Sequence, residues 1–355
     1  MIRLILLPTL LICLAMATAC TPTRDEAVDR PMPTPPEPSK ETMRIEDLTI
    51  GFSMDTLQED RWHKDRTLFK QAVENAGAEV LIEVANGDDA KQVWQTEKMI
   101  DKGIDVLVVV PHNAESMAAI VERAHDANIK VLSYDRLVRN AEVDFYISYD
   151  NEQVGTLQAE AMTAIVPEGN YVYIGGAETD YNAHLLKKGV FDVLQPYIER
   201  GDIRVVFDDW TKDWVLQYAK ENMQLALEAN LEQIDAVIAG NDATAGAAIE
   251  TIEKYGLERT IPVAGQDADL AGIKRIVSGT QRFTVYKSID KLTERAVELA
   301  IQLAMGEDIV QDKTINNGKI NVPSILLSPV LVNQSNITET VIVDGFHQEA
   351  DIYGP

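Results

Sequence analysis

From Leu48 onward, short runs rich in β-branched residues alternate with longer stretches whose apolar residues recur at helical spacing. A period of two giving way to a period near 3.6, many times over, is the pattern of parallel βα units. No other feature constrains the chain as much, because parallel strands need helical crossovers and a sheet covered on both faces. The spacing predicts strands over 48–52, 79–84, 105–110, 130–134 and 143–148, with helices over 61–75, 90–102, 114–127 and 151–165 between and after them. Pro167 and Gly169 interrupt the series, which restarts at 170–174. Strands follow near 203–207, 236–239, 261–264 and 282–285, separated by helices over 182–194, 214–229, 243–255 and 270–278. A long helix over 289–305 and a strand-poor tail carrying Pro323 and Pro329 complete the chain.

Two similar halves result, and the fold class expected is α/β, with two doubly wound parallel-sheet lobes. A tail of this kind crosses back between lobes, so neither lobe is expected to be continuous. The first takes 46–150 plus about 288–325, the second 151–287 plus about 326–348, joined by three crossovers near Asn151, near Lys287 and after Asn321. At 355 residues and 46% hydrophobic composition, there is enough apolar material for two cores.

The first residues belong to a different problem. Arg3, the apolar run 4–16, and Ala17, Thr18 and Ala19 leading to Cys20 have the order of a signal peptide over 1–19. The apolar run is too short for a comfortable membrane span, which needs about 20 residues. A Cys after small residues resembles a bacterial lipobox, with Ala17 where that motif usually has Leu. Lipidation of Cys20 and an anchor in a bacterial membrane follow, in the periplasm or at the cell surface; ordinary cleavage would leave a free thiol instead. Residues 20–45 then read as a lipidated Cys followed by a solvated tether, with Pro31, Pro33, Pro35, Pro36 and Pro38 clustered. Cys13 and Cys20 are the only cysteines, so the mature body has no disulfide. A net charge of −25 argues against a nucleic-acid partner, whose phosphates need a basic face.

In open parallel sheets ligands sit beyond the carboxyl ends of the strands. The residues there are Arg61 and Trp62, Asp135 and Arg136, Asp180 and Asn182, Asp213 and Trp214, Asn241 and Asp242, Gln266 and Asp267, and Lys287. Carboxylates and amides bridge adjacent hydroxyls, cations shorten such bonds, and indole faces cover C–H groups, which is the mixture a sugar requires. Each residue also has a plainer reading. Trp62 and Trp214 fit a helix-face core, Asp135 and Arg136 a surface ion pair, and Lys287 a solvated lysine at a crossover.

The segments Arg61-Trp62-His63-Lys64-Asp65-Arg66, Ser133-Tyr134-Asp135-Arg136, Asp144-Phe145-Tyr146-Ile147-Ser148, Asn241-Asp242-Ala243-Thr244-Ala245-Gly246 and the run Gly265 through Arg275 resemble the xylose-binding proteins of ATP-driven sugar importers. That family lies within the ribose and galactose binding group, of the type I periplasmic binding protein fold, and the resemblance covers about 50–348. It implies a sugar, D-xylose or a related pentose or hexose, held between Trp62 and Trp214. Arg61, Asp135, Arg136, Asn182, Asn241, Asp267 and Lys287 would bond its hydroxyls and ring oxygen. It also implies a monomer that delivers its ligand to a membrane ABC permease, without cofactor and without catalysis.

Other classes find less support. Gly175-Gly176 lacks the full dinucleotide-binding spacing, against a sugar dehydrogenase. His63, His112, His125, His184 and His347 have no ligand-type spacing for a metal, and no nucleophile elbow is present. A sugar-responsive transcription regulator would need a helix-turn-helix where the signal segment stands. A sugar-sensing subunit of a chemoreceptor or histidine kinase keeps the same fold and remains the alternative role.

Overall fold

The computed structural model describes residues 43–230, 233–257 and 260–354. The expected signal segment, Cys20 and nearly all of the tether therefore lie outside the described residues. The elements alternate as the pattern demands: β1 Thr49–Met54, α1 Asp60–Ala76, β2 Glu79–Val84, α2 Asp89–Asp101, β3 Val106–Val109, α3 Ala118–Asp126, β4 Lys130–Tyr134 and β5 Phe145–Tyr149. A second series follows, with α4 Asn151–Ile165, β6 Gly169–Ile174, α5 Tyr181–Arg200, β7 Ile203–Asp209, α6 Leu216–Ala229, β8 Ala236–Ala239, α7 Asp242–Glu253, β9 Val263–Ala264, α8 Leu270–Ser278 and β10 Phe283–Tyr286. After α9 Ile289–Met305 come β11 Lys313–Asn316, β12 Asn321–Leu327, β13 Val330–Asn333 and α10 Glu349–Tyr353.

The strands form two sheets, in the orders β11-β12-β5-β4-β3-β1-β2 and β13-β10-β9-β8-β6-β7. Pairing is parallel except for β11 with β12 and β10 with β13. Both orders reverse direction beside their first strand, between β1 and β3 and between β6 and β8, and crevices for ligands open at such reversals.

Each sheet is buried on both faces because its strands send alternate residues to opposite cores. Val106 and Val108 of β3 join Phe52, Phe69 and Leu132, while Leu107 and Val109 join Ile120, Val121 and Val131. The second sheet repeats this arrangement. Val237 and Ala239 pack with Met223 and Ile249, whereas Ala236 and Ile238 pack with Val190 and Leu194. Fully burying one such aliphatic or aromatic side chain contributes about 1.5–3 kcal/mol, and with no cysteine among the described residues this hydrophobic burial holds each layer together.

The tail departs from the expectation of few strands. Two of its three strands, β11 and β12, extend the first sheet and β13 the second. Pro323 fits inside β12 because it stands opposite Thr314, one residue before pairing with β5 begins at Ser324. Pro329 falls between β12 and β13, where no ladder bond is lost. Helix α3 also starts later than the spacing predicts. Its expected first turn is instead spent on contacts, with Ala114 N–H donating to Thr179 O at 3.2 Å and Ala114 O accepting from Arg139 N–H. Trp214 does not begin α6 but closes a 3-10 turn, Lys212–Trp214, with φ of 56°.

Candidate functional site

A small cavity lies where the carboxyl ends of the two sheets face each other. Arg61, Trp62, Asp135, Arg136, Asn182, Trp214, Asn241, Asp267 and Lys287, the full set expected from the sequence, line it together with Glu59, Asp180 and Gln266. Residues from both sheets contribute, and every one of the nine expected side chains is buried.

Backbone geometry at the strand ends aims the carboxylates. Asp135 follows β4 with φ of 60° and donates its N–H to Ile147 O of β5 at 2.8 Å. Asp267 stands past β9 with φ of 90° and donates to Val285 O of β10 at 2.8 Å. A non-glycine residue rarely takes the left-handed region, and the strain, on the order of 1–3 kcal/mol per residue, is tolerated where surrounding structure over-determines it.

Arg61 joins these two acids. Its Nη2 lies 2.8 Å from Asp135 Oδ2, its Nη1 3.4 Å from Asp267 Oδ1, and its Nε 3.4 Å from Asp65 Oδ2. Lys287 Nζ meets Asp267 Oδ1 at 2.9 Å, so it is a paired buried cation rather than a solvated one. Asn182 Nδ2 donates to Asp135 O at 3.0 Å and to its Oδ1 at 3.3 Å. Asn241 serves two ends: its Oδ1 accepts from Thr244 N–H and caps α7, while the residue lines the cavity. Arg136 reaches Asp55 at 2.6 Å and Asp180 at 2.9 Å. This is no surface ion pair, because the side chains are 4–5% exposed.

The indoles frame the charged groups. The Arg61 guanidinium sits 4.4 Å from the Trp62 ring centre and that of Arg136 5.1 Å from it. Trp62 is also part of the first sheet's core with Phe52 and Phe69, so the core reading and the cavity reading both hold for it. Trp214 donates Nε1–H to Asp180 Oδ2 at 3.2 Å.

Burial and charge compete at each group. Burial pushes the Asp135 carboxyl up, yet Arg61, Lys287 and Arg136 together hold it below the ordinary value. Burial lowers the Arg61 guanidinium, but Asp135, Asp65 and Asp267 more than reverse this and keep it charged. Asp65, one layer deeper, is pushed up to about 6 by burial despite Arg61; it also accepts a short hydrogen bond from Tyr134. Behind the second sheet's wall, burial above all raises both Asp242 and Asp269, with repulsion from Asp242 and Asp267 adding at Asp269 and from Asp267 at Asp242. Asp242 there accepts from Gln281, Thr284 and the Asp269 N–H, bracing the strand ends.

Sequence reasoning placed Asp180 and Gln266 past strand ends without giving them a ligand role, and missed Glu59. Glu59 Oε2 and Gln266 Oε1 are buried with no hydrogen-bond partner among the described residues, and the cavity is where a partner can come from. Asp180 is the residue before α5, and its Oδ1 caps Asn182 N–H; that N-cap position was the available signal. Among the described residues no group of His, Cys, Asp and Glu is arranged to hold a metal.

The periplasmic binding protein domain pattern matches residues 50–308. The chain is 50% identical to the D-xylose-binding periplasmic protein of Haemophilus influenzae, covering 86% of this chain and 92% of that one. It is 48% identical to the protein of the same name from Escherichia coli, covering 86% and 93%. A carbohydrate transporter solute-binding protein from Chloroflexus aurantiacus, solved with D-glucose, superposes with a TM-score of 0.81 at 32% identity, covering 86% of this chain and 98% of that one. With the same two-sheet architecture, and with its pattern matched over most of its length, the chain belongs to the periplasmic binding protein family, whose members capture solutes and are not enzymes.

Proposed function

We propose that this protein captures a monosaccharide outside the cytoplasm, D-xylose foremost, and delivers it to a membrane ABC permease. The observation that carries the reading is the cavity itself. Arg61, Arg136 and Lys287 face Asp135, Asp180, Asp267 and Glu59 around two indoles, and burial raises the Glu59 carboxyl toward its neutral form, so neither sign of charge dominates. Such a wall suits a neutral polyol, whose hydroxyls both donate and accept, better than an anion or an apolar ligand. The names of the relatives in Haemophilus influenzae and Escherichia coli favour D-xylose within that class.

Arg61, Trp62, Asp135 and Arg136 act from one lobe and Asn182, Trp214, Asn241, Asp267 and Lys287 from the other. The lobes part and close about crossovers near Asn151, Lys287 and the segment between β12 and β13, which ligand can favour only by touching both. The protein acts as a monomer and is tethered to the membrane through a lipid on Cys20. Calorimetric titration with D-xylose, D-ribose and D-galactose tests capture, and absence of heat with all of them would dismiss it. Metabolic labelling with a radioactive fatty acid, lost in a Cys20→Ser variant, tests the anchor.

A further inference from the structure

The cavity wall continues outward through one more charged contact. Arg136 gives Nη1–H to Asp55 Oδ2 at 2.6 Å while its Nε lies 2.9 Å from Asp180 Oδ2, so one guanidinium ties a carboxylate past β1 to a carboxylate past β6. The other oxygen of Asp55 is buried and, among the described residues, no donor meets it in good hydrogen-bond geometry. Its near neighbour is His112 Nδ1 at 2.9 Å. His112 is not in the cavity lining, and its side chain is 13% exposed, so protons from solvent reach it. At the other end Asp180 accepts from Trp214 Nε1–H. His112, Asp55, Arg136, Asp180 and Trp214 thus form a continuous run from solvent, across the gap between the sheets, to an indole of the cavity.

We propose that His112 is a positioning residue for ligand capture: its proton neutralises Asp55, which leaves Arg136 to hold Asp180 and Trp214 in place, so that affinity depends on pH. With His112 charged, two cations face two carboxylates; with it neutral, Arg136 alone must serve both, and an uncompensated buried charge is costly. The groups facing His112 agree with this. Asp55 past β1 and Asp89 at the start of α2 favour the proton, Arg136 past β4 opposes it, and Gln92 of α2 accepts the His112 backbone N–H at 3.0 Å. The net effect, led by Asp55 and against burial, raises the imidazole above its ordinary value.

The inference rests on the reading that the lobes close over a sugar. Parting them removes Asp180 from Arg136 and leaves that guanidinium wholly to Asp55, which weakens the hold of Asp55 on the His112 proton. The closed form therefore binds the proton more tightly, and capture takes up a fraction of a proton. Affinity is full below the His112 pKa of the open form and is lost as pH rises through the higher pKa of the closed form.

The test is calorimetry on the full chain with D-xylose, run near neutral pH in phosphate and in Tris, whose ionisation heats differ. The wild type should take up a fraction of a proton and bind roughly threefold to tenfold more weakly at about pH 8.5 than at about pH 6, the size of half to one pKa unit. His112→Gln should abolish the uptake and flatten the profile. His125→Gln, at the opposite end of the first sheet beside Asp144, should change neither. Proton uptake that survives His112→Gln overturns the proposal. Should that variant not fold, the His112 ring proton signal followed by NMR with and without sugar reads the same linkage, and a pKa unmoved by sugar overturns it. No heat with D-xylose, D-ribose or D-galactose rejects sugar capture and this inference together, whereas heat without His112-linked proton uptake rejects only this inference.

Discussion

Asp135 and Asp267 occupy the same place in two different sheets, and Arg61 reaches both. Each stands past the fourth strand of its series, has a positive φ, and gives its N–H to the fifth strand at 2.8 Å. The distances from the guanidinium are 2.8 Å and 3.4 Å. A repeated strand-loop-helix pattern has thus produced a pair of facing acids, with one cation between them and a second, Lys287, on the Asp267 side.

Replacing Asp267 by Ala removes the shared partner of Arg61 and Lys287 and a hydroxyl acceptor from the cavity. Sugar affinity should fall by about 1–3 kcal/mol, which is roughly fivefold to 150-fold, because buried polar partners are left unpaired. Calorimetric dissociation constants for wild type and variant check this, and an unchanged constant would remove Asp267 from the site.

Gly176 lies against the indole of Trp214, and a Cβ built there would run into the ring. A Gly176→Ala variant should keep its fold but displace Trp214, weakening sugar binding at least about tenfold, in line with the loss of a well-packed aromatic anchor. Far-ultraviolet circular dichroism should be unaltered while tryptophan fluorescence and affinity both change.

Asp65 has a folded-state pKa raised to about 6 from 3.8, chiefly by burial. A raised carboxyl favours the folded state only while protonated, so its contribution is present below the unfolded pKa and lost as pH rises through about 6. Relative to Asp65→Asn, the wild type should lose on the order of 3 kcal/mol of stability between about pH 4 and about pH 7, at 1.36 kcal/mol per pKa unit. Denaturant unfolding of both proteins across that range measures the difference, and parallel pH curves would refute it.

Helices α4 and α5 approach backbone to backbone. A Cβ on Gly155 would strike Leu186 O, and one on Gly189 would strike Glu152 O. Gly189→Ala should therefore cost about 1–3 kcal/mol through overpacking and lower the melting temperature by several degrees. A melting curve like that of the wild type would mean that the helices separate freely.

Periodicity alone, then, determined the two α/β series, because side-chain burial on both faces of parallel strands leaves a local signature in every strand. The candidate site was legible for a related reason: its residues follow strands, and strand ends are readable. The tail was misread because β11 and β13 are short and β12 holds Pro323 at a position whose harmlessness depends on the partner strand. Glu59 was passed over, and Asp180 and Gln266 were placed past strand ends without a ligand role, because burial of a loop carboxylate or amide is not marked in the local sequence. Only the tertiary structure decided that Asp180 meets Arg136, that Lys287 meets Asp267, and that His112 stands behind Asp55. Those pairings join residues far apart in the chain, and their energies depend on distance and on exclusion of water, which arise only once the two sheets face each other.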